Sequence, residues 1–482
     1  MWKPAEKIRF TAKPENWPDK DAALASKLFS SLSVGNLELN HRTWVPAMVP
    51  WRATEQGDVT QDVIDWYARF AEGQPGAIVV EATGIRDVAS GPLLRIGHDR
   101  YIDGLSKVVQ AVREKSKGHT KIYIQLIDFL NIRRRPKPEK YFERFLKITE
   151  DHRKRTGFVR DEEIRDFLAS APKETLAHIL SEREYESLER GYRERVTDTE
   201  LEHIRDLPKV LPGLFSDAAL RAKQAGFDGV ELHYAHAYTM ASFLSRLNTR
   251  EDGYGATLEG RKRLPLEVYE AVRLAVGTDY TVGCRMLSED CVKDGTTLND
   301  AVDIAVSFAG AGMDFLSFSR GGKFEDAAQP NVGQAIYPYT GQSGYECMPH
   351  FISDEAGPFG RNIDPTAAIK HALKAEGYAT PVVVAGGIHD FEQAESILKG
   401  EQADIIGIAR QALADPDWFR KVFTGQGEAV NVCKYSNYCE GLDQKHKVVT
   451  CQLWDRLQLD DEDVDMTLDG KRRKTAPKWR KK

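Results

Sequence analysis

With 482 residues, 41% of them hydrophobic and 29% charged, the chain has the composition of a soluble globular protein and room for a large barrel with insertions. No apolar run approaches the roughly 20 residues that span a bilayer, and the N-terminal stretch MWKPAEKIRFTAKPENWPDK lacks the apolar core of a secretory signal. No membrane association and a cytoplasmic location are expected, a net charge of -6 speaks against a protein-wide nucleic-acid footprint, and six cysteines in so long a chain make no disulfide framework.

In chain order, eight short runs rich in Val and Ile are predicted strands. They are 42–48 (RTWVPAM), 76–83 (GAIVVEAT), 121–127 (KIYIQLI), 227–233 (FDGVELH), 280–286 (YTVGCRM), 313–319 (MDFLSFS), 381–386 (PVVVAG) and 403–409 (ADIIGIA). Helical stretches lie between them. One is 218–225 (AALRAKQA), ended by Gly226; in another, 260–276, Leu264, Val268, Ala271, Val272 and Ala275 share a face. Strands alternating with helices imply parallel pairing, and eight strands close a barrel. The expected fold class is α/β, a (β/α)8 TIM barrel. Its rival, a doubly wound open sheet, lacks a strand-linked G-x-G-x-x-G turn.

Two connections are too long for a bare barrel. Strands three and four stand about 100 residues apart, roughly twice what a helix and two loops need. The excess is 131–196. Residues 131–160 carry eleven Lys/Arg against four Asp/Glu, the stretch to 202 is acidic, and Tyr141, Phe142 and Phe145 stand at helical spacing with Leu146. This predicts a charged helical insertion, a lid or substrate wall on one side of the barrel. A sharper reading is that Arg133, Arg134 and Arg135 meet an anionic substrate such as an acyl-CoA. After strand six, 321–362 is an extended loop rich in Gly, Pro, Tyr and Phe. Both insertions leave C-terminal strand ends, the barrel face that carries active sites. The expected organisation is 1–130 for the first part of the barrel, 131–196 for the insertion, 197–430 for the rest of the barrel, and 431–482 for a Cys-containing loop and charged tail.

The C-terminal strand ends carry Met48, Glu81, Gln125, His233, Arg285, Ser317, Ser319, Gly386, Ala409 and Arg410. Turns after strands seven and eight are the usual phosphate position of a barrel. There Gly386-Gly387 lets backbone N–H groups approach an anion, and Arg410 adds a forked contact. A His pair at a strand end can also ligate zinc, but of the further ligands this needs only Glu81 is placed.

The segment 226–263 reads GFDGVELHYAHAYTMASFLSRLNTREDGYGATLEGRKR. With the strand ends, it resembles the old yellow enzyme family of FMN-dependent ene-reductases over about 28–453, apart from the insertions. The resemblance implies that His233 and His236 hold a substrate oxygen and that Tyr238 is a general acid. It implies FMN held by Pro46, Ala47 and Met48 after strand one, Ala82 after strand two, Gln125 on strand three and Arg285 on strand five. The phosphate falls to Gly386, Gly387, Ala409 and Arg410. NAD(P)H is the implied electron donor, and the implied reaction is reduction of a C=C bond conjugated to a carbonyl or thioester.

Some positions depart from the family. Val49 replaces a Thr or Cys that bonds the flavin, and Ile127-Asp128-Phe129-Leu130 replaces His-Ala-Gly-Arg. The tail CKYSNYCEGLDQKHKVVTC resembles the C-x2-C-x3-C-x11-C loop of the large 2,4-dienoyl-CoA reductase branch, which binds a [4Fe–4S] cluster. Cys433, Cys439 and Cys451 match, but Ser436 replaces the second Cys, and Ser is a poor cluster ligand. A relic loop is the preferred reading over a cluster. That branch continues into an FAD and NADPH domain, whereas about thirty residues follow Cys451 here. Electrons are therefore expected from NAD(P)H directly or from a separate donor protein, and a homo-oligomer is also open. The basic end (KRRK…KWRKK) is expected to be solvated and disordered. Other readings are a flavin-dependent dehydrogenase or demethylase of the same family, and a non-catalytic flavin-binding subunit.

Overall fold

The eight apolar runs form eight parallel strands of one closed barrel. They are β1 (Thr43–Val45), β2 (Ala77–Gly84), β3 (Lys121–Ile127), β4 (Gly229–Tyr234), β5 (Thr281–Leu287), β6 (Leu316–Ser319), β7 (Val382–Ala385) and β8 (Ile405–Gly407), with β8 pairing back to β1. This computed structural model describes residues 15–88, 90–292, 294–321, 332–333, 357–443, 445–461 and 464–480. Apart from Lys121, every strand residue is buried, so the runs read as continuous apolar stretches rather than alternating ones.

Around the barrel run α1 (Gln61–Ala71), α2 (Ile102–Ser116), α3 (Leu207–Ala225), α4 (Leu258–Val276), α5 (Leu298–Gly310), α6 (Ile363–Ala375) and α7 (Phe391–Lys399). Two short helices, Arg410–Ala414 and Trp418–Phe423, follow β8. Local chemistry sets their ends. The side chains of Thr60, Thr257, Thr297 and Asp390 accept from backbone N–H groups of the first turns of α1, α4, α5 and α7. Gly226, at φ 92°, ends α3. That helix starts well before the expected 218, because Pro208 and Pro212 interrupt its pattern without breaking it. Among the described residues, no helix is long and apolar enough to cross a membrane.

The lower barrel interior is closed by rings. Trp44, Tyr123 and Phe315 meet with centroids 4.8, 5.2 and 5.5 Å apart. Two glycines make the room: a Cβ on Gly283 would lie 2.4 Å from the Phe315 ring, and one on Gly229 2.7 Å from Tyr123. Anything that binds in this barrel must therefore sit above the plug, at the C-terminal mouth.

The segment between β3 and α3 closes on itself at a neck. Ile132 bridges Arg193, Arg133 N–H donates to Tyr192 O, and the Glu194 carboxylate accepts from Asn131. Above the neck are short helices with their own apolar cluster, in which Tyr141, Phe142 and Leu146 pack on Ile164, Leu168 and Leu188. The loop expected after β6 lies outside the described residues except at its ends and at Val332 and Gly333.

The basic end departs from expectation: 464–480 lies along α1 as fixed structure. Buried Arg69 of α1 donates to Ala476 O and Pro477 O and pairs with Asp417. Lys474 pairs with Asp62 and Asp465. The tail's charges thus face carboxylates and its carbonyls satisfy a buried guanidinium, contacts that no local sequence pattern shows.

Buried Arg250 ties the layers together at the mouth. It donates to Val196 O, Ile204 O and Arg205 O at 2.8–3.1 Å and pairs with Asp252. Arg250→Met leaves three carbonyls without this donor. At about 1 kcal/mol per bond, unfolding stability should fall by roughly 3 kcal/mol. Urea unfolding measures this, and a midpoint equal to wild type would show that water replaces the donor.

Candidate active site

Above the aromatic plug lies a polar layer drawn from four neighbouring strands. Gln125 of β3 donates through Nε2 to Glu231 Oε1 of β4 at 2.5 Å, and Arg285 Nε of β5 donates to Ser319 Oγ of β6 at 2.7 Å. All four side chains are buried. Burial pushes the Glu231 carboxyl up and the Arg285 guanidinium down, and each opposes the shift of the other. Within this layer Arg285 Nη1, Glu231 Oε2 and Ser317 Oγ have no partner among the described residues. Buried polar atoms left this way cost about 1–3 kcal/mol each, so the layer suits a ligand with a hydrogen-bonding edge.

Glu81 does not join this layer. The β2–β3 register shifts between Val80 and Ala82, so Glu81 sits on an irregularity. Its carboxylate accepts from Tyr67 Oη of α1 at 2.9 Å, and that hydroxyl accepts in turn from Glu81 N–H. Burial pushes the carboxyl up to about 8. Ala82, one residue on, is buried and pairs with Gln125 in the ladder.

His233, the penultimate residue of β4, lies beside Arg285 of β5. His236 and Ala237 both take left-handed backbone, at φ 56° and 61°, which turns the second ring back on the first. His233 Nε2 then faces His236 Nδ1 at 3.3 Å. Ala235 N–H donates to His233 Nδ1 at 3.4 Å, which leaves the His233 proton on Nε2. Burial, with the charge of Arg285, pushes His233 down to about 3 and His236 well below its usual range, so both are neutral at pH 7. Tyr238 stands edge-on to His233 at 5.4 Å and to Phe129 at 5.3 Å. The changed motif after Gln125 is built into this wall. Asp128 is buried against Arg86 at 2.6 Å, and its carbonyl accepts from Thr239 Oγ1.

On the opposite side are the turns after β7 and β8. Gly386 and Gly387 have φ 132° and 65°. A Cβ on Gly387 would lie 1.8 Å from Pro358 O, so the chain returning from β6 crosses directly over the turn. Asn362 locks that return by donating to Phe318 O and Ala385 O and accepting from Ser288 Oγ. Pro46 is buried and Ala47 and Met48 half-buried after β1, with Pro46 Cγ near Gly407. Arg410 donates to Asn437 Oδ1 at 2.7 Å and lies over the Tyr435 ring. The polar layer fits FMN, with a buried guanidinium nitrogen of Arg285 and a carboxylate oxygen of Glu231 that have no partner among the described residues.

Cys433, Cys439 and Cys451 are half-buried free thiols. Among the described residues, no group of three or more His, Cys, Asp or Glu side chains is placed to hold a metal ion. The structure therefore does not assemble these thiols, or the His pair, into a ligand set. Burial pushes the Cys439 thiol up to about 11 and Cys451 to about 12. Ser436 Oγ accepts from Gln452 at an exposed position.

Sequence reasoning singled out His233, Gln125 and Arg285 but passed over Glu231. Its signal was present, since Glu231 precedes His233 by two and shares its strand face. Tyr435 and Asn437 left no such signal.

Comparison with known proteins fits this geometry. An NADH oxidase of Thermoanaerobacter brockii is 30% identical over 412 residues, covering 84% of this chain and 52% of that protein. The chain spans about half the length of the first two curated relatives it matches, 52% and 50%. Among solved structures, a complex of 2-naphthoyl-CoA reductase with 2-naphthoyl-CoA matches at TM-score 0.64 and 19% identity, covering 89% of this chain and 56% of that one. The old yellow enzyme homologue of Zymomonas mobilis matches at TM-score 0.53 and 20% identity, covering 82% and 92%. These two likenesses are of fold. Residues 27–132 and 169–428 match the NADH:flavin oxidoreductase / NADH oxidase family, and the match skips the outer part of the insertion. With more than half of its length matched, the chain belongs to the NADH:flavin oxidoreductase / NADH oxidase family, whose flavin is FMN.

Proposed function

We propose that the protein reduces a C=C bond conjugated to a carbonyl or thioester, with NAD(P)H as electron donor. The observation that carries the reading is the neutral His233–His236 pair, turned edge to edge by a strained backbone and flanked by Tyr238. Pro46, Ala47, Met48, Ala82, Gln125 and Arg285 hold the flavin ring, and Gly386, Gly387, Ala409 and Arg410 its phosphate. When bound, FMN supplies hydride transfer between nicotinamide and substrate.

The chain's own residues do the rest. A carbonyl oxygen at the edge between the rings accepts from His233 Nε2–H, and from His236 once its proton sits on Nδ1. Those two donations draw electron density from the double bond and fix its β-carbon. Tyr238 gives its phenolic proton to the α-carbon. Arg285 would supply a fixed positive charge to the bound flavin, and Glu231 holds the Gln125 amide with its carbonyl oxygen turned away from the carboxylate.

The first test is anaerobic titration followed by visible absorption. NADH or NADPH should bleach the flavin, and an enoyl thioester should restore it. Tyr238→Phe should leave bleaching intact and slow restoration about 100-fold, the usual share of a general acid. A flavin that nicotinamide leaves oxidised and an amine bleaches would instead establish the dehydrogenase direction.

The pH dependence follows from the His pair. Burial disfavours the charged form of each ring, pushing His233 down to about 3 and His236 well below its usual range, so both are neutral between pH 5 and 8. Between pH 5 and 8, kcat/KM for the enone should therefore show no inflection near 6.5. An acid limb at 6–7 that disappears in His236→Asn would contradict this.

The insertion bears on substrate class. Arg133 is held over the Phe145 and Tyr192 rings, and Arg135 stands 3.9 Å from Glu189. Arg134 lies exposed beside His446, which stacks on Trp51 after β1. Its place suits the phosphates of an acyl-CoA. Arg134→Glu should raise KM several-fold for a CoA thioester and leave it unchanged for an uncharged enone. Equal effects on both would remove CoA from the proposal.

A further inference from the structure

The loop carrying Cys433 and Cys439 reaches back across the phosphate side of the barrel. Its contacts concentrate on Arg410 and Gln411, the first two residues of the short helix that follows β8. Arg410 Nη1 donates to Asn437 Oδ1 at 2.7 Å, and the guanidinium lies 4.6 Å over the Tyr435 ring. Gln411 is bracketed in the same way. It donates to Asn431 O at 2.9 Å and accepts from Cys433 N–H at 2.8 Å.

Tyr435 also reaches the other phosphate turn. Its ring stands edge-on to Phe359 at 5.2 Å, and Phe359 in turn packs on His389, two residues after Gly387, at 4.7 Å. Tyr435 and Asn437 are both buried and both take left-handed backbone, at φ 48° and 57°. For Tyr this conformation is costly, and surrounding contacts must enforce it. One of them is the Cys433 thiol, which accepts from Tyr435 N–H at 3.4 Å.

A guanidinium offers five donors in a rigid fork, and a long Arg side chain gives up much rotamer freedom when it binds an anion. Fixing the fork through the Asn437 amide and the Tyr435 ring face settles part of that cost before any ligand arrives. We propose that Tyr435 and Asn437 are positioning residues that aim Arg410 at the phosphate of FMN. The loop that resembles a cluster loop then serves the flavin through side-chain contacts. The inference rests on the placement of the phosphate proposed above.

The test compares FMN with riboflavin, which lacks only the phosphate, by fluorescence titration of apoprotein. Wild type should bind FMN far more tightly than riboflavin. Asn437→Gly, which keeps the left-handed backbone and removes the amide, should weaken FMN roughly tenfold and leave riboflavin unchanged. Tyr435→Leu should do the same, while Tyr435→Phe, which keeps the ring, should bind like wild type. Equal weakening of both ligands would make the two residues merely structural and overturn the proposal. So would unchanged FMN binding in both Asn437→Gly and Tyr435→Leu. Wild type binding the two ligands equally would instead remove the phosphate from these turns, and the positioning role with it.

Discussion

A guanidinium sealed inside a closed barrel needs an anion near it, and in this protein Arg285 has Glu231. Both are fully enclosed above an aromatic plug, where low dielectric makes their interaction strong and their separate burial expensive. The pair does not collapse into a direct salt bridge. Arg285 Nε donates to Ser319 and Glu231 Oε1 accepts from Gln125, so Nη1 and Oε2 are left without a partner among the described residues. A charged layer with unspent donors and acceptors is poorly suited to a purely structural core. It is well suited to a planar heteroaromatic ligand that needs both a donor and an acceptor.

That layer also fixes the state of the histidines. His233 lies beside Arg285 across the β4–β5 ladder, and that positive charge disfavours an imidazolium. Neutral rings then have to divide their nitrogens between donor and acceptor. The Ala235 N–H makes that division at His233, and the strained turn at His236 and Ala237 keeps the second ring against the first. Thr239 binds this turn to Asp128, and Asp128 to Arg86. The ends of β2, β3 and β4 are thus tied by the Arg86–Asp128 ion pair and the Thr239–Asp128 hydrogen bond, where the family resemblance leads one to expect His-Ala-Gly-Arg.

Much of this was readable in the residues, and the failures have physical causes. The strands were legible because a strand buried on both faces must be a short run of apolar residues. Helix α3 was legible only at its C-terminal end, since prolines within its first turns mask the periodicity. Glu81 was grouped with the strand-end residues, but it sits on a one-residue irregularity and bonds Tyr67 of α1, and the letters EAT look the same with or without that irregularity. The tail was misread because its order comes from α1 and Asp417, far away in sequence. Long-range satisfaction of a buried Arg has no local signature.

The same reasoning explains how the loop after 430 stays folded. Metal-binding loops generally owe their folded form to the metal, because few other contacts offset the entropy of ordering them. Here other contacts are plentiful. Asp455 accepts from Tyr438 Oη and Thr450 Oγ1, and its carbonyl accepts from Arg473 N–H. Trp454 Nε1 donates to Leu413 O at 2.9 Å, and Trp51 Nε1 donates to Asp443. Each of these bonds joins the loop either to itself or to the barrel mouth, and none needs a thiolate. With Ser436 in a ligand position, the loop keeps its shape through these hydrogen bonds together with ring contacts of Tyr435 and the burial of Val449 and Trp454 in the core. A segment anchored at β1, at β8 and along the tail is stiff enough to position side chains, which a loosely held loop is not.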